Sequence, residues 1–170
     1  MNVKALDFNE NGNIPNNPDL PVLIVQNALD SDSADLAGLF EKHFSDNGWT
    51  GCWRWGVYEF HHYHSNAHEA LGVASGAGEL HIGGEDGEVL KVQAGDLLIL
   101  PAGTGHKCIS STSDFQVVGC YPSGQSDYDL IKEDTNITDE IRQRIRNTSL
   151  PDTDPLKGKD GPVVEHWLED

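Results

Sequence analysis

Between Thr50 and Tyr121 the chain consists of short apolar or alternating runs, each ended by a glycine-rich turn. Alternation of apolar and polar residues predicts β-strands with one buried face, and glycine supplies the backbone conformations that tight turns need. The turns are Gly76-Ala77-Gly78, Gly83-Gly84-Glu85-Asp86-Gly87, Ala94-Gly95-Asp96 and Ala102-Gly103-Thr104-Gly105. Evenly spaced short strands of this kind are typical of an antiparallel sandwich or barrel. The pattern therefore predicts an all-β core.

The segment before this core has a different pattern. Residues 21–26 form an apolar run that predicts a strand. A helix is predicted over residues 32–47, because Leu36, Phe40 and Phe44 recur at helical spacing and a glycine follows as the stop signal.

Composition and residue spacing predict the structure of the remaining segments. Residues 1–20 are rich in Asn and predict an irregular arm, and residues 127–134 are acidic and predict a solvated connection. A second, short helix is predicted over residues 138–146 from a narrow stripe of isoleucines. Residues 149–170 predict an extended surface tail, with its apolar anchors at Val163, Val164 and Trp167.

The length of 170 residues favours one domain, residues 1–170, because one hydrophobic core suffices at this size. Within it, residues 50–122 are the predicted barrel core. Residues 1–49 supply an arm, a strand and a helix, and residues 123–170 supply a helix and a tail.

The charge balance narrows the possible partners. The chain carries 28 Asp and Glu against 11 Lys and Arg, a formal net charge of −17. A surface this acidic repels phosphate backbones and anionic lipid headgroups, so neither nucleic acid nor membrane is an expected partner. No apolar stretch approaches the roughly 18–20 residues of a membrane span, and the polar start lacks the apolar region of a signal peptide.

The three cysteines are Cys52, Cys108 and Cys120, an odd number without C-x-x-C spacing. This usage argues against a disulfide framework or a thiolate zinc cluster and fits a reducing compartment. The expected location is therefore the cytoplasm.

Three of the eight histidines fall within residues 59–64. Alternate side chains of a strand point to the same face, so His62 and His64 can converge on one ion. Glu69 follows after a turn of four residues, and a Gly/Pro turn delivers His106 to the start of another strand. Two imidazoles and a carboxylate suit divalent iron, manganese, zinc, nickel or copper and leave coordination positions open. A histidine pair alone is more often solvated or bonded to backbone, so the prediction depends on the other two residues.

At these residues the sequence resembles the cupin superfamily. The first cupin motif, G-x5-H-x-H-x4-E-x6-G, is matched by Gly56, His62, His64, Glu69 and Gly76. The second motif, G-x5-P-x-G-x2-H-x3-N, is matched by Gly95, Pro101, Gly103 and His106, with Ser110 in place of the final Asn. The longer run His62-Tyr-His-Ser-Asn-Ala-His-Glu-Ala-Leu-Gly resembles the YjlB-like cupins, a match that supplies no reaction.

The resemblance implies a double-stranded β-helix, a jelly-roll cupin barrel, with an N-terminal helix and a short C-terminal helix. It implies that His62, His64, Glu69 and His106 are ligands of a divalent metal ion (Fe, Mn, Ni or Zn) inside the barrel mouth. Three neutral imidazoles and one carboxylate leave such an ion with about +1 local charge, which attracts an anionic or enolate oxygen and can polarise a carbonyl. Glu69 is also the candidate catalytic residue, as a proton shuttle.

Strand alternation extends the prediction to the pocket wall. If no bulge intervenes between Cys52 and His64, then Arg54, Tyr58 and Phe60 face inward with the histidines. Arg54 is then a candidate anchor for a substrate carboxylate, the alternative being a surface ion pair at the rim. Tyr58 and Phe60 would form a wall of the pocket.

The same alternation places other residues. Cys108 follows His106 on the inward face, although a buried thiol is more often a packing residue than a nucleophile. Trp53 and Trp55 would face outward and pack against the helix or a partner subunit. His61 and His68 would point away from the metal. The histidines that belong to no constellation in the sequence are His43, His81 and His166.

These features favour a metal-dependent cupin enzyme acting on a small organic molecule, with oxygenation of an enolisable or thiol substrate as the leading reaction. The alternatives are an isomerase or lyase that uses a metal-stabilised enediolate, and a cupin that binds a small ligand without turnover. A closed structural zinc site is a third option. A homodimer is expected, because the strand at residues 21–26 could add to a neighbour's sheet.

Overall fold

The structure is a computed structural model that describes residues 1–169. Among these residues the chain forms eleven β-strands, two α-helices and one short π-helical turn, Val164–Leu168. The helices are α1, Leu36–Asp46, and α2, Asp139–Asn147. The strands are β1 Asn2–Leu6, β2 Val22–Gln26, β3 Trp49–Trp55, β4 His62–Tyr63, β5 Glu69–Ser75, β6 Ala77–Ile82, β7 Glu88–Gln93, β8 Leu97–Leu100, β9 His106–Ser111, β10 Gln116–Pro122 and β11 Ile131–Lys132.

The strands form two antiparallel sheets. The six-stranded sheet has the order β1-β2-β8-β5-β10-β3, and the five-stranded sheet has the order β11-β4-β9-β6-β7. Most neighbours in each sheet are distant in sequence, as expected when a chain winds back and forth between the two sheets of a jelly roll. The predicted all-β double-stranded β-helix with two short helices is therefore confirmed.

The central strands of the six-stranded sheet bury both of their faces. Successive side chains of a strand point to opposite faces, so each strand feeds two apolar layers. The layer between the two sheets includes Ile24, Leu71, Leu98, Val117 and, from the other sheet, Leu80 and Ile82. The opposite layer, which packs under α1 and the C-terminal tail, includes Leu23, Ala70, Ile99, Val118 and Val163.

Helix α1 covers the outer face of the six-stranded sheet. Asp35 caps it by accepting a hydrogen bond from the Gly38 amide at 3.1 Å, so the helix begins at Leu36 and is shorter than the predicted range. Phe40 is fully buried against β5 at Gly72, where a Cβ would lie 2.6 Å from the Phe40 ring. The close approach of helix and sheet therefore requires glycine at position 72.

The N-terminal arm is more regular than predicted. Residues 2–6 form β1, which pairs antiparallel with β2 from Asn2 opposite Gln26 to Leu6 opposite Val22. Strand β2 consequently lies between β1 and β8 and has no free edge, so the predicted addition of residues 21–26 to a neighbour's sheet is wrong. The backbone of β1 forms hydrogen bonds with that edge of β2. The Asn-rich composition of the arm gave no indication of this strand. The homodimer itself stays a prediction.

The expectation of no disulfide is also wrong. Cys52 and Cys120 form a disulfide across a sequence separation of 68, and Cys108 is free and buried. The two cysteines lie on the neighbouring strands β3 and β10, whose Cα atoms at these positions are 4.4 Å apart. Pairing of these strands is a long-range event, so spacing along the chain gave no signal of it.

None of the helices in residues 1–169 is long and apolar enough to cross a membrane.

The C-terminal segments are helix α2 and a tail that packs into the apolar layer under α1. Helix α2 begins after Thr138, which accepts a hydrogen bond from the Ile141 amide, and it ends within a residue of the predicted boundary. In the tail Val163 and Trp167 are buried as anchors, and the Trp167 indole donates to the Pro21 carbonyl at 2.9 Å. The tail ends in the π-helical turn instead of remaining extended.

Candidate metal centre

Three buried side chains from three different elements meet at the mouth of the barrel. His64 follows β4, Glu69 opens β5 and His106 opens β9, and each brings one ligand atom within 4.8 Å of the other two. The Nε2 atom of His64 is 3.5 Å from Glu69 Oε2, and the Nε2 atom of His106 is 3.4 Å from Glu69 Oε1. This set can hold a divalent metal ion, because imidazole nitrogen and carboxylate oxygen together suit such ions.

Backbone carbonyls fix which nitrogen of each imidazole faces the site. The Nδ1 atoms of His62 and His106 lie 3.0 Å from the carbonyls of Phe60 and Thr104, and that of His64 bonds to the Asp129 carbonyl. A carbonyl only accepts hydrogen bonds, so Nδ1 must carry the proton in each ring. In the neutral rings Nε2 is then the unprotonated nitrogen, as a metal ligand requires.

The Glu69 carboxylate requires a positive partner. Burial alone would raise the pKa of Glu69, but the neighbouring His64 and His106 outweigh burial and hold the pKa below its ordinary value. Burial would lower the pKa of His64, but Glu69 and the Asp129 carbonyl reverse this effect and raise it. Among residues 1–169 no hydrogen-bond donor reaches Glu69 Oε1, although this oxygen is buried. A metal ion, or a proton on an imidazole, supplies the missing positive charge, so the donor set fits a divalent cation.

His62 lies beside this set without joining it. It is paired directly opposite His106 across β4 and β9, and the centroids of the two rings are 4.0 Å apart. The His62 and His64 ring centroids are 6.2 Å apart. Burial, and then the neighbouring His106, lowers the pKa of His62 to about 2, so its ring is neutral. Of the four predicted ligands, the structure therefore brings three within 4.8 Å and places the fourth against one of them.

Two aromatic residues that sequence reasoning did not select hold Glu69 in place. The Tyr121 hydroxyl donates to Glu69 Oε2 at 2.7 Å and accepts from the Trp53 indole at 2.8 Å. Burial, and then the Glu69 charge, raises the pKa of Tyr121, so its hydroxyl remains a donor. Cys120 faces the α1 layer, so simple alternation along β10 already puts Tyr121 on the barrel side and could have identified it.

The acidic connection after β10 also supports the site. The Asp129 carbonyl bonds to the His64 ring, and the Asp129 carboxylate accepts hydrogen bonds from the amide and the hydroxyl of Ser65. From α2, Arg144 donates to the Ser65 hydroxyl at 2.9 Å. The segment predicted to be a solvated connection is therefore clamped against His64, a contact between residues 65 positions apart that no local pattern reveals.

The metal set lies in a cavity of about 610 Å³ with mostly apolar walls. Tyr58 and Phe60 line it from the loop that follows β3, and their rings stack with centroids 4.9 Å apart. Arg54 lies at the rim, where its guanidinium pairs with Glu41 at 2.5 and 3.0 Å. The structure thus shows the surface ion pair that was the alternative for Arg54. The other apolar lining residues are Trp53, Trp55, Val57, Leu71, Tyr121, Tyr128 and Leu130.

Three placements, those of Trp53, Trp55 and Cys108, differ from the ones predicted by alternation. Strand β3 ends at Trp55, and residues 56–61 form a loop before β4, so alternation does not carry through from Cys52 to His64. Trp53 accordingly packs in the barrel interior, and Trp55, also predicted to face outward, lines the cavity. Cys108 lies in the apolar layer between the sheets and not on the cavity wall.

Three further histidines, His61, His68 and His81, are buried at two other places in the structure. His68 points away from the metal set, as predicted: its Nδ1 accepts from the Ala102 amide at 2.9 Å and its ring packs on Trp167. Burial lowers the pKa of His68 to about 4. His81, assigned to no constellation from sequence, instead lies with His61 and Glu85 in a second group of possible ligands.

Comparisons with known proteins agree with this architecture. The cupin domain model matches residues 56–118. The protein named "Uncharacterized protein YjlB" of Bacillus subtilis (strain 168) is 39% identical over 162 residues, which is 95% of this chain and 94% of that protein.

The chain is also similar to parts of two solved structures. A conserved protein with a double-stranded beta-helix domain from Klebsiella pneumoniae is 26% identical and matches 48% of this chain and 71% of its own, with a TM-score of 0.38. An acireductone dioxygenase from Bacillus anthracis, with a cadmium ion in its active centre, is 18% identical and matches 63% of this chain and 80% of its own, with a TM-score of 0.42.

Proposed function

The chain belongs to the YjlB-like cupins, and we propose that it is a metal-dependent enzyme acting on a small organic molecule, with a dioxygenase-type reaction as the leading candidate. The observation that carries the proposal is the convergence of His64, Glu69 and His106 in a cavity of about 610 Å³. A bound divalent ion would supply Lewis-acid chemistry and a place to activate dioxygen.

Different residues of the chain would bind the ion, fix the positions of its ligands and transfer a proton. His64, His106 and Glu69 would hold the ion, with His62 as a fourth ligand after a small movement of its ring. The carbonyls behind the imidazoles keep Nε2 free to bind, and Tyr121 keeps Glu69 Oε2 in a fixed position. Glu69 is ionised, so it would accept a proton from the substrate before it returned one.

The cavity walls indicate the class of substrate. Tyr58, Phe60 and other apolar side chains surround the entrance, so the body of the substrate would be apolar or aromatic. Of the exposed charged residues that line the cavity, Arg54 is already neutralised by Glu41, and Glu59 adds a negative charge. We therefore propose a neutral or singly charged substrate that carries an enolisable, enediol or thiol group toward Glu69, and not a phosphorylated one.

Metal analysis and turnover test this proposal. Protein loaded separately with Fe²⁺, Mn²⁺, Ni²⁺ and Zn²⁺ is assayed for oxygen uptake with a panel of aryl-substituted enediols, β-dicarbonyls and thiols. We expect uptake with at least one ion, and its loss in Glu69→Gln. Glu165→Gln, a neighbour of the tail anchor Trp167, is the control and should keep full activity. Absence of metal binding by wild-type protein would contradict the proposal outright.

Two alternatives give different results in the same assays. The buried Tyr121–Glu69 pair favours proton transfer, so isomerase or lyase chemistry would show substrate conversion under anaerobic conditions. A cupin that only binds its ligand would show thermal stabilisation by the ligand without turnover. In that case Glu69→Gln would weaken the stabilisation and abolish no reaction.

A further inference from the structure

A second group of ligand atoms lies on the outer face of the five-stranded sheet. His61 precedes β4, His81 belongs to β6, and Glu85 lies in the turn between β6 and β7. Each brings one ligand atom within 4.8 Å of the other two. The next residues, His62 and Ile82, face the cavity and the barrel interior, so His61 and His81 project from the opposite side of the same sheet.

The buried polar atoms of this group are incompletely bonded. The His61 side chain is only 3% exposed, and its Nε2 lies 2.8 Å from Glu85 Oε2. A carboxylate accepts, so Nε2–H donates to it, and in the neutral form of the ring Nδ1 carries a lone pair. Among residues 1–169 no donor reaches this buried Nδ1. The His81 ring packs on His61 with centroids 4.9 Å apart. A simple His–Glu hydrogen bond accounts for neither the buried lone pair nor the second imidazole.

We propose that His61, His81 and Glu85 bind a second divalent transition-metal ion of the borderline class, such as Zn²⁺, on the face of the sheet opposite the cavity. Two neutral imidazoles and one carboxylate provide the nitrogen and oxygen ligands that such ions prefer. The Glu85 side chain is 77% exposed, so water can complete the coordination. Lys107, opposite His81 in the sheet, is the cation that opposes binding, whereas the net charge of −17 favours it.

The position of this site gives it a structural consequence. Strand β4 has two residues and meets β9 at the one register pair of His62 and His106. An ion bound by His61 and His81 would tie the chain just before β4 to β6. The backbone of His62 would thereby be held in place from behind the cavity wall.

Zinc stoichiometry tests the proposal. Metal-free protein is titrated with Zn²⁺ alone by calorimetry, and bound zinc is counted after gel filtration. We expect two equivalents in wild type and one in His81→Asn. His106→Asn, which damages the cavity set, should keep one equivalent, and the double variant should bind none. His166→Asn, at an exposed histidine of the tail, is the matched control and should bind two.

The variants of the two sites distinguish failure of this inference from failure of the proposed function. If His106→Asn bound no zinc, the second site would be refuted, whereas the assignment of the cavity site would still stand. Unchanged stoichiometry and affinity in His81→Asn would overturn it as well. If His81→Asn does not fold, Glu85→Gln at an exposed position serves instead, with an expected loss of affinity of about tenfold or more at one of two sites. Equal affinity in Glu85→Gln and wild type would then refute the assignment.

Discussion

The hydrogen bonds of Tyr121 give the sharpest test of how the candidate site is held together. Tyr121→Phe removes one hydroxyl that donates to the buried Glu69 carboxylate at 2.7 Å and accepts from the Trp53 indole at 2.8 Å. The aromatic ring is kept, so packing in the barrel changes little. The substitution therefore isolates the polar contribution of one atom.

The expected loss of stability follows from the two bonds. A hydrogen bond to a charged group contributes about 1.5–3 kcal/mol, and a partly buried indole left without an acceptor costs about 1 kcal/mol. The two effects share one atom and are not fully additive, so we expect Tyr121→Phe to lower the free energy of unfolding by ~2–4 kcal/mol. In a Glu69→Gln background the acceptor is neutral, and the same substitution should cost about 1 kcal/mol less.

Urea denaturation of chelator-treated protein, followed by circular dichroism, measures these differences, and the m-value must stay constant for the comparison to hold. Tyr58→Phe is the control, because Tyr58 is 42% exposed, and it should change stability by no more than about 0.5 kcal/mol. If Tyr121→Phe matched wild type within that margin, or if its cost were the same in the Glu69→Gln background, the reasoning would be refuted.

Three further perturbations have defined outcomes. Asp129→Ala should lower Zn²⁺ affinity at the cavity by about 10–100-fold in a chelator competition, because its carboxylate fixes the segment that orients a ligand histidine. Asp127→Ala should leave that affinity unchanged. Reduction of the Cys52–Cys120 disulfide, with its separation of 68 residues, should lower the free energy of unfolding by up to ~4 kcal/mol on the chain-entropy model. Equal urea midpoints with and without reductant would contradict this expectation. Gly72→Ala should cost about 1–3 kcal/mol, because its Cβ would lie 2.6 Å from an aromatic ring of α1. A loss below about 0.5 kcal/mol would show that the helix can shift freely.

The second group of ligands shows what sequence spacing misses. His61 and His81 are twenty residues apart; His61 precedes β4 and His81 lies on β6, two strands that are connected only through β9. Spacing along the chain does not connect them, because they share no short motif. The cavity set was recognisable because His64 and Glu69 belong to the first cupin motif and His106 to the second.

The all-β core and both α-helices could be predicted from local periodicity and turn chemistry, and the jelly-roll barrel with its ligand residues from the short spacings that resemble the cupin motifs. Only the tertiary structure decided that Cys52 meets Cys120, that β1 covers the edge of β2, and that Tyr121 and Asp129 hold the site. Each of these contacts joins positions that the chain keeps apart and the sheets bring together. Side-chain alternation predicts such contacts only while a strand continues, and β3 ends before the loop that leads to the histidines.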